Sequence, residues 1–195
     1  MSICTNQGSK EDLKRTIWNT SHRSQERMCR RFFEKKYRVK FFRPVVWRTK
    51  GGVTFKEYPC HALRKHGWQA TPQFHEDRIR GNVPPEIGQH NVSSGFSSPG
   101  TMWGARMHFM QQMESKMKQV EQEILAGRRR PIWSATVELP YSVGYGKMLI
   151  GSQIVDVKGI TSVRLAFEYD NGVWYEKSAF PNARHHLSQT PLTKG

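Results

Sequence analysis

The sequence predicts an α+β protein, and three observations carry that expectation. Apolar residues recur at helical spacing from Trp103 to Ile124, the period turns strand-like from Ile132 to Phe180, and the front third is basic with helix-compatible spacing. The expected architecture is N-terminal basic helices, a long irregular middle segment, and one amphipathic helix packed on a small C-terminal antiparallel β-meander. The expected division is a basic, aromatic arm over 1–58, an extended irregular linker over 59–100, a helix plus antiparallel sheet over 101–181 and a tail over 182–195.

The totals agree with a modest folded region carrying arms. A hydrophobic share of 36% and a mean hydropathy of −0.70 leave limited material for one large core, while aromatics at 11% argue against simple disorder. The net charge of +15 and a pI near 10.1 speak to partners rather than to fold. Three widely spaced cysteines, Cys4, Cys29 and Cys60, make no disulfide framework and suit a reducing compartment. No run reaches the roughly 18 apolar residues of a spanning helix, and the N-terminus lacks the apolar stretch of a secretory signal.

In chain order, Ser9 caps a helix start, with Glu11 and Asp12 in its first turn and Leu13 and Ile17 at helical spacing. A second helix is expected from His22 to Tyr37, with Met28 and Phe32 four apart. Pro44 forbids its continuation, and Val45 to Trp47, Gly51-Gly52 and Val53 to Phe55 read as a short hairpin. Glycine, proline and serine then dominate 59–100, where only 61–66 and 74–80 suit short helical turns.

The clearest helix spans 101–126. Trp103, Met107, Met110, Met113, Met117, Val120 and Ile124 form a continuous stripe that we read as core-facing, and Gly127 is its stop. Four strands follow, over 132–139, 147–157, 160–170 and 173–180. Asn171-Gly172 fits both positive-φ positions of a type I′ turn. That turn pairs Tyr169 with Trp174 and Glu168 with Tyr175, and puts Leu165, Phe167, Tyr169 and Trp174 on one face.

The strongest functional signal is the basic block over 21–50. It carries eleven cations, Arg23, Arg27, Arg30, Arg31, Lys35, Lys36, Arg38, Lys40, Arg43, Arg48 and Lys50, against Glu26 and Glu34, and so holds nine of the chain's +15 charges. Phe32, Phe33, Tyr37, Phe41, Phe42 and Trp47 are interleaved with them. A block this one-sided repels itself unless an anion lies against it, and RNA phosphate is the leading partner. Its aromatics would stack on bases or anchor the segment on a protein core. A protein anchor with incidental charge and a membrane-surface helix are the other two readings. Arg128, Arg129 and Arg130 join the block as expected RNA contacts.

Other constellations carry less. Cys60, His61, His66 and His75 lack the paired short spacings of a structural zinc site, so neither metal nor cofactor is expected. Gly144-Tyr145-Gly146-Lys147 departs from the phosphate-loop pattern and reads as a hairpin loop. His75-Glu76-Asp77 has no nucleophile beside it, and an ion pair of Glu76 or Asp77 with Arg78 or Arg80 is the better account. No catalytic residue and no small-molecule substrate are expected.

Val53-Thr54-Phe55-Lys56-Glu57-Tyr58, followed by His61 and Arg64-Lys65-His66-Gly67-Trp68, resembles a segment of a mitochondrial small-subunit ribosomal protein family. Phe74-His75-Glu76-Asp77-Arg78-Ile79-Arg80 is similar to a stretch in another protein of that subunit. Together these cover fewer than thirty residues. The resemblance implies a mitochondrial ribosomal or similar accessory protein. With the basic block, the expectation is a non-catalytic structural subunit of a large ribonucleoprotein, in the mitochondrial matrix with the cytoplasm as alternative, touching structural RNA and neighbouring proteins. The alternative class is an accessory structural subunit of a protein-only assembly, such as a respiratory complex, ATP synthase or cytoskeletal lattice.

Overall fold

The computed structural model describes residues 22–49, 52–59, 65–84 and 87–189. The helix expected from Ser9, together with Lys50, Gly51, Cys60, His61 and the chain after Gln189, lies outside them. The chain is α+β. Its elements are α1 (His22–Tyr37), β1 (Val39–Lys40), β2 (Phe42–Thr49), β3 (Gly52–Pro59), α2 (Pro72–Arg80), β4 (Val92–Phe96), α3 (Pro99–Leu125), β5 (Ile132–Glu138), β6 (Gly144–Ile150), β7 (Gln153–Ile160), β8 (Ser162–Asp170), β9 (Val173–Pro181) and α4 (Ala183–Gln189).

Three sheets result: a mixed sheet in the order β1-β9-β8-β5, the β2-β3 hairpin, and an antiparallel sheet in the order β4-β6-β7. The main core lies between α1, α3 and the first sheet. Phe109 and Met110 of α3 pack with Trp133, Leu165, Phe167 and Trp174. Ser98 and Thr101 form a capping box at the start of α3, satisfying backbone donors that the helix cannot. The Met-rich stripe faces the core as expected, with Trp103, Met110, Met117 and Val120 buried and Met107, Met113 and Ile124 partly so.

The Asn171-Gly172 turn has both positive φ values, 47° and 80°, and pairs Tyr169 with Trp174 and Glu168 with Tyr175. Helix α1 has its expected bounds, but its buried stripe is Cys29, Phe33 and Tyr37, one step round from Met28 and Phe32. It ends before Pro44, because Arg38 turns left-handed at φ 54° and starts the parallel pairing of Val39 with Trp174.

Two expectations are corrected. The irregular linker over 59–100 contains α2 and β4. Thr71 accepts from the Phe74 amide, Pro72 opens the helix, and Gly81 closes it at φ 81°. β4 is an edge strand that pairs with β6 along its whole length, although its sequence, Val-Ser-Ser-Gly-Phe, shows no apolar alternation. The expected four C-terminal strands are five, because a turn with Gly151 at φ 61° splits 147–157 into β6 and β7. β6 pairs with β4 on one side and β7 on the other, which leaves the meander as β5, β8 and β9. Gly146 permits that pairing, since a Cβ there would lie 2.5 Å from the Ser93 carbonyl oxygen.

A bulge in β9 sets up the site. Ala166 faces Ser178 and Phe167 faces Glu176, which leaves Lys177 as the extra residue. One added residue reverses the alternation, so Trp174 and Glu176 are buried before it, and Ala179 and Pro181 after it. Ser178 and Phe180 are thereby turned to the other side.

Candidate functional site

The described cations of the basic block are divided between contacts within the chain and exposure to solvent. Arg30 pairs with Glu26, Arg38 reaches Glu121 of α3 at 2.5 Å, and Lys36 Nζ lies over the Phe32 and Tyr37 rings at 5.6 and 5.1 Å. Phe33, Tyr37 and Phe41 are buried in the core, where they hold α1 in place and present no stacking surface. Arg27, Arg31, Lys35 and Lys40 are exposed, while the Arg23, Arg43 and Arg48 side chains lie outside the described ones. Arg129 pairs with Glu123 at 2.9 Å, and Arg128 and Arg130 are exposed.

A different set of cations meets where α2, the 88–91 loop, β4, β8, β9 and α4 converge. The cleft there has a volume of about 390 Å³. Arg78 enters from α2, His66 from the turn before it, His90 from the loop, Arg164 from β8 and Arg184 from α4. Val92, Phe180, Pro181 and Ala183 supply apolar wall, and Ser94, Ser178, Asn91 and Asn182 polar wall. Among the described residues no aspartate or glutamate lines it.

Arg78 is the centre of this arrangement. Its residue is 3% exposed, and its hydrogen bonds go to two neutral acceptors, the Gly88 carbonyl at 3.3 Å from Nε and Ser93 Oγ at 3.4 Å from Nη1. No carboxylate among the described residues pairs with it. Burial pushes the guanidinium below its ordinary pKa, in a side chain that stays charged throughout the physiological range. Arg106, also buried, is met by both oxygens of Glu176.

The surrounding groups hold Arg78 in place. Ser93 Oγ also bonds His75 Nδ1 at 2.8 Å. His75 is fully buried, and burial, then Arg78, then Lys147, lower its pKa to about 4, so it is neutral at pH 7. The loop is tied to the end of α2 by the His90 amide to the Arg78 carbonyl at 3.3 Å and Gln89 Nε2 to the Ile79 carbonyl at 2.9 Å. Burial, followed by the charges of Arg78 and Lys65, lowers the pKa of His90. His66 Nδ1 donates to the Ser94 carbonyl at 2.6 Å, which fixes its tautomer, and its ring lies 5.0 Å from that of Phe180.

Chemically, the cleft offers guanidinium donors to an anion, with two imidazoles beside them. His66 and Arg78 lie in segments singled out in the sequence, but Arg164, Arg184 and His90 do not. These three are lone cations far apart along the chain, with no local pattern to mark them. Glu76 makes the expected type of surface pair, with Arg80 at 2.8 Å, and also meets Lys147 at 3.2 Å. Gly144-Tyr145-Gly146-Lys147 begins strand β6.

No helix among the described residues is long and apolar enough to cross a membrane. No protein-family model matches the chain, and no curated protein matches it. Among solved structures, a chain of the CdiA-CT/CdiI complex from Y. kristensenii 33638 is similar, at 13% identity and a TM-score of 0.48, over 63% of this chain and 98% of that one. That likeness assigns no activity to this chain. The expectation of a structural ribonucleoprotein subunit, with its ribosomal and mitochondrial attributes and its ribosomal RNA partner, is corrected: none of these comparisons supports it. The physical reason is local: among the described side chains Phe33, Tyr37 and Phe41 are core residues, and Arg30, Arg38 and Arg129 are matched by carboxylates of their own chain.

Proposed function

We propose that this chain binds a phosphate-bearing ligand in the cleft around Arg78, departing from the expectation of no small-molecule substrate. The observation that carries the reading is an arginine 3% exposed, at a cleft lined by two further arginines and two histidines and, among the described residues, by no acid. Burying a charge costs several kcal/mol unless an opposite charge meets it, and guanidinium forks match phosphate oxygens two at a time. We propose binding without turnover, because the buried hydroxyl lining the cleft, Ser94, donates to the Pro181 carbonyl at 2.6 Å and is not held against an imidazole.

Titration calorimetry of the full chain with pyrophosphate tests this. The expected result is saturable binding that weakens roughly tenfold or more in Arg78→Gln, the scale of a lost charge-assisted bond. Arg164→Ala, at an exposed position, is expected to weaken it without unfolding risk, and Arg130→Ala to leave it unchanged. Absence of binding at millimolar pyrophosphate, or affinity unchanged from the native chain in both cleft variants, overturns the reading.

A further inference from the structure

The cleft is far larger than the anion it is built to hold. At about 390 Å³ it falls in the range of about 300–1,000 Å³ typical of sites for whole organic ligands, whereas a tetrahedral oxyanion displaces only a few waters of about 30 Å³ each. The remaining volume has its own character. Phe180 and Val92 give it an apolar wall, and Asn91 and Ser178 add amide and hydroxyl groups for directional hydrogen bonds. Phe180 is half-buried, with its ring 5.0 Å from His66 at 33°, so the aromatic surface is backed by a second ring. The bulge at Lys177 turns Ser178 and Phe180 away from the core together.

Resting on the phosphate reading above, we propose that the ligand is a phosphate ester of mononucleotide size, its phosphate at Arg78 and its planar ring against Phe180. A flat, polar-edged heterocycle suits a site with one aromatic wall and scattered hydrogen-bonding groups, and stacking on an aromatic is worth about 1–3 kcal/mol per base. The same unit occurs as a free nucleoside monophosphate or as one residue of a nucleic acid chain.

Calorimetry on the full chain with pyrophosphate, ribose 5-phosphate, the four ribonucleoside monophosphates and a short oligonucleotide tests the pairing. At least one nucleoside monophosphate is expected to bind tenfold or more tighter than ribose 5-phosphate. Phe180→Ala and Phe180→Leu are each expected to abolish that preference and keep the affinity for ribose 5-phosphate, the leucine variant guarding against loss of apolar volume. A tighter oligonucleotide places the unit in a chain, and a weaker one makes the free nucleotide the occupant; either supports the pairing. Equal affinity for ribose 5-phosphate and all four monophosphates, with pyrophosphate still bound, overturns the ring subsite and leaves the phosphate reading standing. Loss of pyrophosphate binding as well overturns both.

Discussion

Arg106 of α3 and Glu176 of β9 meet fork to fork in the core, Nε donating to Oε2 at 2.8 Å and Nη2 to Oε1 at 2.7 Å, with side chains 1% and 0% exposed. The guanidinium also lies 4.7 Å from the Trp103 ring and 5.4 Å from that of Phe41, which ties helix, sheet and the segment after α1 together. Breaking one side leaves a buried charge without its partner. Arg106→Met is expected to destabilise by about 3–5 kcal/mol in urea unfolding, and adding Glu176→Leu to recover most of that. An unchanged urea midpoint in the single variant would show the pair to be irrelevant to stability.

His75 makes stability depend on pH. Its folded pKa is about 4 against an ordinary 6.5, so on acidification the unfolded chain takes up the proton first. This contribution is complete above about pH 6.5 and is lost as the pH falls toward 4, amounting to about 3 kcal/mol. Urea midpoints measured across that window are expected to drop for the native chain and to fall less steeply for His75→Gln. Parallel curves would refute the assignment.

Gly95 faces the same imidazole. A Cβ there would lie 2.8 Å from His75 Nε2 and 3.4 Å from the Gly67 carbonyl oxygen, and His75 has no room to withdraw because it is fully buried. Gly95→Ala is expected to cost about 1–3 kcal/mol by overpacking. Since the clash is with one side chain, His75→Ala in the same background should relieve part of it, which a double-mutant cycle measures. Strict additivity would place the cost elsewhere.

Arg38 holds a left-handed backbone, φ 54°, without being glycine. Arg38→Ala and Arg38→Gly both delete the contact with Glu121, so their difference isolates the backbone. The glycine variant is expected to be the more stable by about 1 kcal/mol in thermal or urea unfolding, because only a Cβ opposes that conformation. Alanine matching or exceeding glycine would mean that the turn relaxes.

Where local physics decides, the residues alone were enough. Asn171-Gly172 tolerates positive φ twice, so that hairpin and its register are legible without any partner, and the stripe from Trp103 to Ile124 marks α3 by its spacing. The buried face of α1 is not legible in the same way, since both Met28–Phe32 and Cys29–Phe33 have helical spacing and only packing against Trp103 and Phe41 makes the second the more buried. Strand β4 was missed because Ser93, Ser94 and Gly95 are buried by close approach of β6 and carry little hydrophobicity of their own.

The cleft belongs wholly to the tertiary structure. Arg78, Arg164 and Arg184 stand more than a hundred residues apart at their extremes and come together only because α2, β8 and α4 converge. Charge along the chain measures only how many cations lie near one another in sequence, and it singles out the basic block, two of whose cations, Arg30 and Arg38, are paired with carboxylates of the chain. Which guanidinium is buried without an acid, and which side of β9 Phe180 faces after one bulged residue, are set by packing. Desolvation and strand parity are properties of the folded neighbourhood, and no local pattern encodes them.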